Sequence, residues 1–87
     1  MHEASLMVGL MRKIDETARA QDARRVVAVS VWLGALCHMN ADHFAEHFEQ
    51  AAAGTLADGA RLDITESGDI AHPNAQDVLL EGLEVEA

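Results

Sequence analysis

The first three residues, Met1-His2-Glu3, carry the most distinctive chemistry in the chain. A free amine on Met1, the backbone amide nitrogen of His2 and one imidazole nitrogen of His2 can close two fused chelate rings around a single ion. Such an all-nitrogen array suits planar Ni(II) or Cu(II) better than zinc, which prefers a tetrahedral site. It requires an unblocked terminus and loss of the amide proton. The competing reading is a solvated side chain on a chain end, and the residue types alone leave both open.

A second group lies in mid-chain. His43 and His47 are four residues apart, the spacing that sets two imidazoles on one helical face. Glu46 stands beside them, but not in the His-Glu-x-x-His order of a zinc protease. With Cys37 and His38 upstream, a Cys/His metal cluster is one reading. A polar helix face beside a loop thiol is the other, and the expected one. No Lys or Arg stands close to Cys37 in sequence, so it is not expected to be a reactive thiol. Met7, Met11 and Met39 offer soft thioethers, but at helical spacing they read as core filler. His72, beside Pro73, reads as solvated. No Ser/His/Asp or Cys/His nucleophile pair and no glycine-rich phosphate loop is present, so an enzyme is not expected.

The elements that must position these residues follow from periodicity. Residues 5–21 read as a helix, with Leu6, Leu10, Ile14 and Ala18 recurring every fourth residue, Met7 and Met11 widening the stripe, and Ser5 as N-cap. Residues 25–34 read as a strand, with Val27, Val29, Val31 and Leu33 facing the core and Ala28, Ser30 and Trp32 opposite. Asn40 caps a second helix running to about Ala53, with Phe44, Phe48, Ala51 and Ala52 inward and Gly54 at C′. Residues 61–66 read as a second strand and residues 67–77 as a loop. Residues 78–86 read as a third strand, with Leu79, Leu83 and Val85 on one side and Gly82 at a possible bulge. The order α-β-α-β-β predicts a two-layer α+β domain, two helices packed on one three-stranded sheet.

Composition sets the remaining bounds. The 87 residues fit one domain, and 49% hydrophobic content is globular rather than disordered. A single cysteine excludes an internal disulfide and fits the cytoplasm, and the first turn lacks the pattern of a signal peptide. No apolar run is long enough to span a membrane. The net charge of −9 argues against a nucleic-acid partner. That charge is lopsided: residues 1–36 hold five basic and four acidic side chains, residues 37–87 one basic and eleven acidic. Glu81, Glu84 and Glu86 read as the wet face of an edge strand, where charge blocks edge-to-edge pairing. By alternation Trp32 falls on the uncovered face of the sheet, which predicts a weak homodimer with Trp32 near the contact. The alternative is that residues 67–77 cover Trp32 and leave a monomer.

Several segments together carry a resemblance. Met-His-Glu leading into Ser5-Leu6-Met7, then Val-x-Val-x-x-Gly-x-Leu from Val29 to Leu36 and a capped Phe-containing helix, is similar to the HypA/HybF family. The likeness continues through Gly54-Thr55, Gly59-Ala60-x-Leu62-x-Ile64 and Leu83-Glu84-Val85-Glu86. It implies a nickel metallochaperone of [NiFe]-hydrogenase, and in some bacteria urease, maturation. It also implies a nickel site at the Met1 amine and His2, with backbone nitrogens of His2 and Glu3. The partners it implies are a nickel-handling GTPase and the hydrogenase large subunit. The chain departs from the family where a zinc module with two Cys-x-x-Cys pairs stands between the second and third strands. Residues 67–77 contain no cysteine, so no structural zinc is expected there. Either this is a short natural relative or the module has been excised. A metal-free interaction module that kept the fold is the competing functional reading, binding a partner by strand addition.

Overall fold

The structure, a computed structural model, describes residues 3–87. Its elements are α1 (Glu3–Ala20), β1 (Arg25–Leu33), α2 (Ala41–Ala52), β2 (Arg61–Glu66) and β3 (Val78–Glu86). This is the expected α-β-α-β-β order, a two-layer α+β domain. The sheet order is β2-β1-β3, with β2 parallel and β3 antiparallel to β1. A parallel pair cannot be joined by a tight turn, and α2 is the crossover that carries the chain from β1 to β2. α1 packs over β3 and α2 over β2, and the two helices meet over the buried face of β1.

Each helix is closed by local chemistry. α1 begins at Glu3, so Ser5 lies within its first turns and is not the expected N-cap. Its far end is a Schellman motif: Ala23 N–H donates to the Ala18 carbonyl and Asp22 N–H to that of Arg19. Asp22 takes the left-handed conformation there, φ 53°, which Asp tolerates better than most residues. α2 opens on Asn40, whose side-chain oxygen accepts from His43 N–H at 2.8 Å, as the sequence predicts. It ends in a tight turn in which Thr55 N–H returns to the Ala52 carbonyl, with Gly54 at φ +77°.

The core is built from Met7, Leu10, Ile14 and Ala18 of α1, Val26, Val29, Val31 and Leu33 of β1, and Phe44, Phe48 and Ala52 of α2. Two expectations about strand faces are corrected here. Val27 is only half-buried and Val26 is fully buried, because Val27 is the extra residue of a β-bulge between the Val26–Val85 and Ala28–Glu84 pairs. One inserted residue reverses the alternation upstream of it. The same happens on β3, where pairing jumps from Ser30–Gly82 to Val31–Leu80 and leaves Glu81 over. Leu80 therefore packs on the core and Leu79, expected inward, is 36% exposed. The bulge lies beside Gly82, as expected.

The uncovered face of the sheet is protected in two places. Arg61 and Glu84 both stand opposite Ala28, on either side of β1, and their side chains meet across it at 3.6 Å. That bridge accounts for the burial of a small side chain on an otherwise wet face. Further along, the His72 ring lies 4.7 Å from that of Trp32, tilted by 48°. Residues 67–77 thus reach Trp32 and leave it half-buried. The loop is anchored to the end of β1 by Gly34 N–H to Asp77, Leu36 N–H to Ala75 and Ser67 N–H to Leu33, all donating to carbonyls.

Candidate metal centre

Met1 and His2 lie outside the described residues, and Glu3 is the first residue of α1. The first half of α1, at Ser5, Leu6, Gly9, Leu10 and Lys13, flanks a cleft against Asp77–Leu80. Val78 pairs with Leu33, the last residue of β1. The start of α1 and the 67–77 loop therefore occupy the same end of the domain.

The expected mid-chain residues are only partly brought together. Capping by Asn40 fixes the start of α2 and places His43 and His47 on successive turns, both half-buried. Their Nε2 atoms are 3.0 Å apart, with ring centroids at 4.6 Å and planes at 71°. Cys37 and His38 do not join them. Cys37 lies in the loop between β1 and α2, as expected, but is 3% exposed, and its Sγ–H donates to the Met39 carbonyl at 3.4 Å, so this loop thiol is packed into the core. His38 is exposed, in a left-handed conformation at φ 66°. Among the described residues no group of three or more His, Cys, Asp or Glu side chains converges on one point. Met7 and Met39 are buried core residues and Met11 packs against them, as their spacing predicts.

His72 differs from its sequence reading. Its Nδ1 accepts from Asn74 N–H at 2.9 Å while its ring covers Trp32, so it is a structural side chain rather than a solvated one. Only the His72-Pro73-Asn74 sequence of the turn could have suggested the hydrogen bond; the Trp32 contact is tertiary. The charges on the open face are ordinary. The Arg61 guanidinium is held above its usual range, first by its hydrogen bond to Asp63, then by the charges of Asp63 and Glu84. Among the described residues no helix is long and apolar enough to cross a membrane.

Comparison with known proteins extends this picture. The sequence model of the family described as hydrogenase/urease nickel incorporation, metallochaperone, hypA matches residues 1–72. A hydrogenase maturation factor HypA of Rhizobium leguminosarum is 42% identical over 64 residues, which are 74% of this chain and 57% of the relative. One from Azotobacter vinelandii is 39% identical over 66 residues, 76% of this chain and 58% of the relative. The chain thus spans under three-fifths of the length of these relatives. The solution structure of the Ni metallochaperone HypA from Helicobacter pylori superimposes with a TM-score of 0.80 over 100% of this chain and 99% of that one, at 24% identity, a likeness of fold. By its sequence match and its identity to these relatives, the chain belongs to the HypA family of nickel-incorporation metallochaperones.

Proposed function

We propose that this chain binds Ni(II) at its amino terminus and delivers it during maturation of a nickel enzyme, [NiFe]-hydrogenase by family resemblance. The Met1 amine, the His2 amide and imidazole nitrogens and the Glu3 amide nitrogen are its ligands. The observation that carries this is a Met-His-Glu start in a chain whose residues 1–72 match the nickel-incorporation family. The chemistry supports it, since such a nitrogen set is matched to the planar preference of Ni(II). A chaperone must also release its cargo, and a terminal chelate has an exchange route: protonation of the imidazole and re-protonation of the amide both free the ion. The domain supplies a rigid base, because α1, from Glu3 onward, buries its stripe of Met7, Leu10, Ile14 and Ala18.

Residues 1–87 form a single HypA-like nickel-binding domain on this reading, with residues 67–77 in place of the family's zinc module. The residues present do not fit a four-cysteine zinc site: the chain has one cysteine, and it is buried in the core. The sheet closes without the module, since β3 pairs along the length of β1 directly after the loop. The proposed partners are a nickel-handling GTPase and the hydrogenase large subunit, met in the cytoplasm. The test is a nickel titration of untagged protein. One equivalent should bind through nitrogen donors and be lost in His2→Ala; full affinity in that variant overturns the assignment.

A further inference from the structure

We propose that His43 and His47 form a bis-imidazole chelate for Cu(II) on α2. Of the histidines described, only these two converge. His38 is exposed on its own, and His72 is committed to Asn74 and Trp32. The i, i+4 spacing on a helix is the arrangement that lets two rings approach one ion without moving the backbone. Here the rings already face each other through Nε2, at 3.0 Å.

That separation has a chemical meaning. For metal–nitrogen bonds of about 2.0–2.1 Å, two donors 3.0 Å apart subtend an angle of about 91–97° at the ion. This is a cis pair of a square-planar or octahedral site and falls short of the tetrahedral angle, which disfavours Zn(II), and the affinity order of the divalent series makes Cu(II) rather than Ni(II) its ion. Two neutral rings that carry their protons on Nδ1 aim both Nε2 lone pairs at the space between them. A metal ion there takes the place of the Nε2–H···Nε2 hydrogen bond of the metal-free pair, and the displaced proton is regained at Nδ1 of the same ring, so the two neutral rings bind with no net loss of protons.

The surroundings are compatible with a cation. Asp42 and Glu46 flank the pair on α2, and the chain carries a net charge of −9. The N-terminal half of a helix opposes positive charge, and these two carboxylates offset that field. Both rings are half-buried, so an ion reaches them from solvent.

The test uses the full-length untagged chain in a His2→Ala background, where the terminal chelate is gone. Cu(II) should still bind with about one equivalent, and electron paramagnetic resonance should show two equatorial imidazole nitrogens. In His2→Ala/His47→Gln, and separately in His2→Ala/His43→Gln, the second imidazole signal should vanish. Loss of a mere hydrogen-bonding neighbour of a ligand costs about 10–100-fold in affinity, so loss of a ligand here should weaken binding by at least about tenfold. Circular dichroism of the double variants confirms that α2 is retained, and glutamine keeps the helix well populated. Equal Cu(II) affinity and the same nitrogen pattern with and without His47 would overturn the proposal, as would no binding in His2→Ala alone. Failure of the amino-terminal assignment is read separately, from the wild type against His2→Ala with Ni(II).

Discussion

Gly34→Ala is the sharpest test of how the domain is closed. Gly34 follows the last residue of β1, at the point where the 67–77 loop crosses the end of the strand. A Cβ at this position would stand 2.6 Å from the Ala75 carbonyl carbon and the Asn74 oxygen, and closer still to the Ala75 oxygen. All three are backbone atoms, and the Ala75 oxygen is also the acceptor for Leu36 N–H at 2.6 Å. Ordinary carbon contacts are about 3.5–4.0 Å, so the loop must retreat by roughly 1 Å. Overpacking costs about 1–3 kcal/mol, and weakening the Leu36 and Gly34 hydrogen bonds adds about 1 kcal/mol. A loss of about 2–4 kcal/mol is expected, which for a domain of this size lowers Tm by roughly 8–32 °C. The internal control is Gly9→Ala. Gly9 lies on the exposed side of α1 with open space around its Cβ position, so alanine should stabilise by about 0.5–1 kcal/mol through helix propensity. Thermal melts of the two variants should move in opposite directions. A Gly34→Ala midpoint within about 2 °C of wild type would refute the packing argument, since even 1 kcal/mol shifts Tm by about 4–8 °C.

Other outcomes follow from the same structure. Phe44, 1% exposed and stacked on Phe48 at 6.1 Å, should lose about 3–5 kcal/mol on replacement by alanine, read from urea unfolding. Asn40→Ala removes the cap on His43 N–H and should cost about 1 kcal/mol, with Asn40→Asp close to neutral. Nickel binding to the untagged chain should weaken as pH falls through about 6.5, because a protonated imidazole cannot coordinate; a pH-independent affinity from 5 to 8 would contradict a histidine ligand. Protein isolated without added metal should hold no stoichiometric zinc, and a chelator should leave its Tm unchanged. His72→Ala should uncover Trp32, shifting its emission to the red and strengthening concentration-dependent self-association in sedimentation. Unchanged emission and the wild-type sedimentation profile would dismiss Trp32 as a contact.

The element order, the Asn40 cap and Gly54 at the end of α2 were legible because each rests on chemistry within a few residues. The faces of β1 and β3 were legible only in part. Strict alternation assigns Val27 and Leu79 inward, and one inserted residue on each strand reverses that. A bulge depends on how two strands separated by some fifty residues fall into register, and Val26-Val27 contains no signal of it. Ser5 failed as a cap because α1 starts earlier, at Glu3. The burial of Cys37 and the role of His72 were equally hidden, since both depend on where the chain folds back. In the site, the His43–His47 pair could be read from spacing, but the failure of Cys37 and His38 to join it could not. The amino-terminal chelate rests on residue type and family membership.

The central position of β1 also governs the order in which the domain can assemble. β1, α2 and β2 are consecutive, so they can form early from contacts between neighbouring segments. β3 must then travel back over the 67–77 loop to the opposite edge of β1, and this non-local closure sets the slow step. Until it arrives, one whole edge of the most apolar strand in the chain stands bare. A chain interrupted at residue 72, where the family match ends, would remain in that condition. Such an edge is a template for other copies of itself, so truncation there should yield aggregates rather than a smaller nickel-binding domain.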